Sequence, residues 1–314
     1  MAITLNTSFS PSESHAAAAP RAEIPFQISL GPTLVQPSVG WLGGEAAEAL
    51  FPSARPLGDM HGFQLHETSN LLIGTASSFV GPSIADTTRE LYTRLLAATE
   101  GRPLYRIWNY VPAINHTGNG LENYQAFCVG RSLVFEAAHG SHYRRALPAA
   151  SAVGSAGDLL TVVFVAGREA PQHFENPEQI AAYDYPREYG ARPPSFARAT
   201  VARFGAKPLI FISGTASIKG HVTIAPASLS AQLDCTLDNL SLIGRAAGLG
   251  EHLRAPAATT ARHFKIYVRD PADYDQVRTR LEHDLIRPGD HAIYLQADIC
   301  RAALKLEIEA TLIG

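Results

Sequence analysis

Leu71-Leu72-Ile73-Gly74-Thr75-Ala76-Ser77 recurs as Phe211-Ile212-Ser213-Gly214-Thr215-Ala216-Ser217, and the two Gly-Thr-Ala-Ser tetrads stand 140 residues apart. Each tetrad opens onto a run of elements that match in kind. A helix-like stretch (84–99 or 229–248) leads to a strand (105–110 or 263–268). A second helix (121–136 or 274–284) precedes a closing strand (159–166 or 304–312). A tetrad alone can recur by chance. A tetrad trailed by four elements in the same order marks an internal duplication.

Outward from the repeats, residues 1–25 read as a frayed start, rich in Ser, Ala and Pro with little to bury. Order begins at Phe26-Gln27-Ile28-Ser29-Leu30, which alternates like a strand. Residues 31–65 carry many Gly and Pro and read as loops with short strands. Between the copies, 168–200 includes Ala182-Tyr183-Asp184-Tyr185-Pro186-Arg187-Glu188-Tyr189-Gly190. A purely flexible linker would be Gly/Ser-rich. Three tyrosines and several arginines point instead to a loop that packs or binds. The expected organisation is an N-terminal region over 1–65, a central unit with the connecting loop over 66–200, and a C-terminal unit over 201–314.

Composition narrows the function. With 314 residues, 46% hydrophobic and 18% charged, the chain is globular. A net charge of −3 argues against a nucleic-acid footprint. No apolar run approaches the roughly 20 residues of a membrane helix, and no signal peptide is visible, so the expected address is the cytoplasm. Cys128, Cys235 and Cys300 lie far apart, without a CxxC pair. The twelve histidines form no HExxH or HxH pair, so no metal is expected. Neither 40–44 nor 118–120 has the frame of a phosphate loop, and neither flavin nor nicotinamide binding is indicated.

The second copy resembles the RidA/YjgF family through Gln232, Asn239 and Leu240, Ile266-Tyr267-Val268-Arg269-Asp270, and Arg301 before Leu306-Glu307-Ile308-Glu309-Ala310. Most of the chain resembles a narrower group, the chorismatase family. The blocks that carry this are Asn109–Pro112, Glu122–Arg131, Ala152–Gly154, Tyr183–Gly190, Pro194–Thr200, Ser213–Ser217 and Asp298–Arg301. The resemblance implies an α+β fold of tandem RidA/YjgF-like units in a pseudo-threefold arrangement, with mixed sheets and helices packed on one face. The N-terminal region would be a reduced third unit, the protein a monomer and the substrate chorismate. The site would lie between the central and C-terminal units.

Releasing pyruvate from chorismate requires a proton on the terminal methylene of the enolpyruvyl ether. Carbon protonation is slow, so the acid must be held against that carbon and stay protonated near neutral pH. The final strand alternates, with Leu304, Leu306 and Ile308 on one face and Lys305, Glu307 and Glu309 on the other. In an isolated strand the second face would be solvated. In the implied fold it is shielded between units, which raises a carboxyl pKa. The matching strand of the first copy has no acid. The resemblance places the catalytic glutamate on Glu307, with Glu309 as the fallback.

The resemblance also pairs Gly214 with Cys300, the combination of the type that forms 3-hydroxybenzoate, where the hydrolysing type has alanines. A cysteine can serve as weak acid, base or nucleophile, or simply as a small buried hydrophobe. Gly214 has a backbone reading too, since glycine permits positive φ and close approach. Two substrate carboxylates call for arginines, and Arg131, Arg198 and Arg301 are the candidates. Tyr124 and Tyr185 are placed to hydrogen-bond the ring carboxylate or hydroxyl. The alternatives are formation of 4-hydroxybenzoate or both isomers, hydrolysis to a dihydroxycyclohexadienoate, RidA-like imine deamination, and small-molecule binding without catalysis.

Overall fold

The computed structural model describes residues 25–118, 120–205, 207–250, 253 and 260–314. Of the stretch read as a frayed start, 1–24 lies outside the described residues. The first repeat comprises strands β1 (Arg55–Met60), β2 (Phe63–Glu67) and β3 (Leu71–Phe79), helix α1 (Ile84–Ala98), β4 (Leu104–Pro112), α2 (Asn123–His139), β5 (Ala149–Ser155) and β6 (Leu159–Gly167). The second has the same order. It comprises β7 (Gln172–Phe174), β8 (Ala199–Phe204), β9 (Lys207–Thr215), α3 (Leu229–Ala246), β10 (Ala261–Val268), α4 (Tyr274–Asp284), β11 (His291–Gln296) and β12 (Leu306–Ile313).

The two sheets are ordered alike, β5-β4-β6-β3-β2-β1 and β11-β10-β12-β9-β8-β7, with Gly40–Gly44 added outside β11. In each, the first pair is parallel and the pairs with β6 or β12 are antiparallel. The duplication is thus longer than the sequence pattern indicates. β5 and β11 are additional strands between the second helix and the closing strand. β5 reads Ala-Ala-Ser-Ala-Val-Gly-Ser. Its small residues show no alternation because both its faces are buried. The expected unit boundaries at 65 and 200 fall within β2 and β8, which pair in the two sheets.

Serine caps open the first helix of each repeat. Ser83 Oγ accepts from Asp86 N at 3.2 Å, and Ser228 Oγ from Ala231 N at 3.2 Å. The helices cover one sheet face only. Leu91, Leu95, Phe127 and Phe135 pack on Leu72, Val162 and Phe164, while Leu233, Leu240, Val277 and Leu281 pack on Ile266, Leu306 and Ile308. The opposite faces of both sheets share a third core. Ile73, Trp108, Val163 and Val165 meet Phe211, Tyr267 and Leu295 there, joined by Phe26, Ile28 and Leu30 from the N-terminal strand Gln27–Leu30. The result is an α+β fold of two tandem units whose helix-free faces look inward. No helix among the described residues is long and apolar enough to cross a membrane.

Candidate active site

Strand β12 carries two carboxylates into the shared interior. Its Leu306, Ile308, Ala310 and Leu312 face the helices, so Glu307 and Glu309 face the other sheet, each only 4% exposed. Register identifies their counterparts. Leu72 pairs with Ala166 and Ile212 with Ala310. Counting back, Val163 and Val165 of β6 occupy the positions of Glu307 and Glu309.

The two glutamates have opposite surroundings. Glu309 accepts hydrogen bonds from Arg106 Nη2 at 2.5 Å and Trp108 Nε1 at 2.6 Å, and its Oε1 lies 3.0 Å from Lys265 Nζ. Lys265 also pairs with Glu48 at 2.7 Å. The neighbouring cations hold the Glu309 carboxyl below its ordinary pKa against the opposing effect of burial. Glu307 has no such company, and its Oε1 finds no hydrogen-bond partner. Burial first, and the charge of Glu309 second, push its pKa up to about 8. At neutral pH, therefore, Glu307 carries a proton. Glu309, the fallback acid, is spent on an internal ion network and does not line the cavity.

A β-bulge lies directly opposite. Between Ile212 and Thr215, β9 has one residue more than β12 sets against it, whereas β3 pairs with β6 without interruption there. Ser213 anchors the bulge, its Oγ donating to Ala197 O at 2.6 Å and accepting from Ala150 N at 2.9 Å. Gly214 lies outside the left-handed region, so backbone freedom is not why it is glycine. The reason is space. A Cβ at 214 would sit 1.9 Å from Glu307 Oε1 and 2.4 Å from its Cδ. Gly74 in the first copy makes similar room for the ring of Phe164.

All eight residues singled out from the sequence line one cavity, which encloses about 820 Å³ including its open mouth. Tyr124 and Arg131 come from α2, Gly214 from β9, Glu307 from β12, Cys300 and Arg301 from the segment before β12, and Tyr185 and Arg198 from the connecting loop. The Tyr-rich connection thus packs as a wall of the site. Its Tyr189 also lines the cavity, beneath Arg301, whose guanidinium lies 4.0 Å from the ring centroid. Arg301 Nη1 donates to His221 O at 2.8 Å. Arg198 Nη2 donates to Tyr185 Oη at 2.7 Å, while its Nε makes no hydrogen bond. Arg131 is buried against Phe127, with Nε and Nη2 both without a protein partner. Arg198 Nε lies 3.9 Å from Glu175 Oε2, and Arg131 interacts with the Tyr92 hydroxyl, so each guanidinium keeps a protein neighbour beside the cavity.

Cys300 is half-buried, whereas Cys128 and Cys235 are buried. Desolvation, then the nearby Glu307, push the Cys300 thiol up to about 12, so it is neutral and not a thiolate. Sequence reasoning missed Ser151, Gln125, Glu122 and Phe196 in the cavity wall. Ser151 gave no signal because β5 itself did not. The other three lay within quoted blocks, where only the spatial arrangement separates lining from packing residues. The motif residues Gln232 and Asn239 shape the site from outside. Gln232 Nε2 donates to Ala303 O at 2.9 Å and its Oε1 accepts from Lys305 N at 2.9 Å. Asn239 Nδ2 donates to Ala216 O at 3.0 Å and Ile218 O at 2.9 Å.

The structure thus presents one class of arrangement, a buried carboxyl of raised pKa facing a cavity lined by three arginines between two units of an α+β fold. Comparison with known proteins narrows this class. Residues 52–166 match the family model Chorismatase FkbO/Hyg5-like, N-terminal. A chorismatase of Streptomyces hygroscopicus is 36% identical over 274 residues, 84% of this chain and 79% of its own length. A 3-hydroxybenzoate synthase of the same organism is 37% identical over 214 residues, 66% of this chain and 62% of its own. A chorismatase crystal structure at 1.08 Å shares 34% identity, with a TM-score of 0.75, over 83% of this chain and 80% of that one. The chain belongs to the chorismatase family.

Proposed function

We propose that this protein converts chorismate to 3-hydroxybenzoate and pyruvate, with Glu307 as the acid that protonates the enolpyruvyl methylene. The observation that carries the reading is Glu307 itself, a buried carboxyl with a proton at neutral pH, turned to a cavity rich in arginine. Arg131, Arg198 and Arg301 supply the cations for the two substrate carboxylates. Tyr124 and Tyr185 supply hydroxyls beside them. The methylene π pair takes the proton from Glu307, and positive charge develops on the ether carbon. The carboxylate left behind stabilises that charge in a site of low dielectric.

The product depends on what completes the breakdown. Water would give pyruvate and a dihydroxycyclohexadienoate. Attack from within the substrate displaces the pyruvyl group from the ring and leads to an aromatic product. 3-Hydroxybenzoate and pyruvate together contain the atoms of chorismate, so this outcome consumes no water. The pair Gly214 and Cys300, and the relative named 3-hydroxybenzoate synthase, support the aromatic outcome. A neutral thiol at 300 acts by donating a hydrogen bond or filling space, since the thiolate is not populated. We read the N-terminal strands as the remnant of a third unit and the protein as a cytoplasmic monomer.

Incubating purified protein with chorismate alone, followed by chromatography against authentic 3- and 4-hydroxybenzoate and the diene, tests the proposal. Pyruvate is measured by coupling to lactate dehydrogenase. The expected products are equal amounts of pyruvate and 3-hydroxybenzoate. Folded protein that releases no pyruvate would overturn the reading in favour of imine deamination or binding alone.

A further inference from the structure

The segment 298–304 carries both Cys300 and Arg301 into the cavity without belonging to a helix or a strand. Something must set its position, and one side chain gathers its polar groups. Arg269, directly after β10, spends all three of its guanidinium nitrogens on this task. Nε donates to Leu304 O at 2.8 Å. Nη2 donates to Ile299 O at 3.2 Å and Arg301 O at 3.0 Å. Nη1 pairs with the Asp298 carboxylate and donates to Asn115 Oδ1 at 3.1 Å. The acceptors bracket Cys300 on both sides.

Asn115, in the turn after β4, extends the clamp to the first unit. Its Nδ2 donates to Ile299 O at 3.1 Å and to Glu122 Oε1 at 3.0 Å, and Glu122 lines the cavity. Strand β5 holds the same segment from the other side, with Gly154 N donating to Asp298 O at 2.7 Å. A Cβ at 154 would lie 2.7 Å from the Asp298 Cβ, so the two backbones meet closely. The blocks Ala152–Gly154 and Asp298–Arg301, far apart in sequence, thus form one contact between the units.

We propose that Arg269, with Asn115, is a positioning residue that fixes the 298–304 segment and thereby decides the ratio of aromatic to non-aromatic product. The inference rests on the chorismatase reading for its product half. Arg269 touches no reacting atom, and it acts through the placement of Cys300 and Arg301. Lysine at this position keeps the charge but has one nitrogen for five acceptors.

The test compares Arg269→Lys, Arg269→Ala and Asn115→Ala, reading the product ratio and the alkylation rate of Cys300 by iodoacetamide with peptide mapping. Losing two or more of the hydrogen bonds should raise Cys300 alkylation by about tenfold or more, with Cys128 and Cys235 still protected. The diene should rise at least about threefold relative to 3-hydroxybenzoate, most in Arg269→Ala and least in Asn115→Ala, beyond any loss of chorismate turnover. Should Arg269→Ala fail to fold, the milder two variants carry the comparison. Unchanged alkylation in folded variants overturns the clamp. Faster alkylation with an unchanged product ratio overturns its control of product. If the wild type does not act on chorismate, the alkylation rates still decide the clamp, and the failure belongs to the functional reading.

Discussion

Glu307→Gln separates the chemistry of the acid from its effect on the fold, because the two should respond in opposite directions. Folding raises the Glu307 pKa from 4.5 to about 8. A raised carboxyl pKa means that its favourable contribution is complete below about 4.5 and is lost as pH climbs toward 8. At pH 7 the unfolded chain ionises Glu307 while the folded protein keeps it protonated. Two and a half pKa units at ~1.36 kcal/mol each make about 3 kcal/mol of lost stability. At pH 5 the same reasoning gives under about 1 kcal/mol. Glutamine does not titrate, so the variant escapes the loss. On going from pH 5 to pH 7, its melting temperature should gain on that of wild type by roughly 2 °C per kcal/mol, about 5 °C in all. Thermal unfolding at half-unit pH steps measures this without any assay of activity. Pyruvate release should meanwhile fall by roughly 10²-fold or more, since the variant has no proton to transfer. In the wild type, turnover should decline as pH rises past about 8. A gap between the two melting curves that stays constant with pH would show that Glu307 is ionised in the folded protein and refute the assignment. Near wild-type turnover in the variant would refute its role as the acid.

Gly214→Ala should displace the Glu307 carboxyl, whose Oε1 lies 1.9 Å from the added methyl position, lowering pyruvate release by at least about tenfold and removing the alkaline decline near pH 8. A variant with unchanged turnover and pH profile would count against that contact. Cys300→Ala should raise the diene and lower 3-hydroxybenzoate more than it slows chorismate consumption, and an unchanged product ratio would leave the thiol a packing group. Light scattering should give a mass near the chain's 33.7 kDa, because the helix-free sheet faces already meet within one chain. A mass three times larger would contradict the monomer.

The duplication was legible because its signals are local. The tetrads, and the helix-like and strand-like runs that follow them, each depend on a few consecutive residues. The strands β5 and β11 were not, because a strand buried on both faces in a parallel pair loses the alternation that marks it. β1 and the start of β2 fell in a stretch read only as loops with short strands, and β7 and β8 were not separated from the connecting loop. β1 is fully exposed and β7 has three residues, so neither has a core face to declare itself. For the site, alternation in β12 placed Glu307 and Glu309 on one face but could not rank them. The ranking depends on Arg106 and Trp108, some 200 residues away, and on Lys265 of the neighbouring strand. For Gly214 the sequence offered product type, positive φ or close approach, and only the fold shows that the close neighbour is the Glu307 carboxyl.

The bulge and the two glutamates are best understood as one change made to one copy of a duplicated unit. In the first unit, Gly74 faces Phe164 in an uninterrupted ladder, and Val163 and Val165 fill the inter-sheet core. Each buried valine contributes on the order of 1.5–3 kcal/mol. The second unit replaces both with carboxylates, which are stable there only if neutralised or protonated. Glu309 is neutralised by cations from β4 and β10. Glu307 is left to hold its proton, and the neighbouring charge of Glu309 strengthens that hold. The bulge at Ser213 and Gly214 then opens the space the carboxyl occupies. Two further carboxylates at Val163 and Val165 would each need a cation or a proton of their own in the same shared interior. Carrying both carboxylates in one copy only, the interior keeps one ion network around Glu309 and leaves the protonated Glu307 in the cavity lined by Arg131, Arg198 and Arg301.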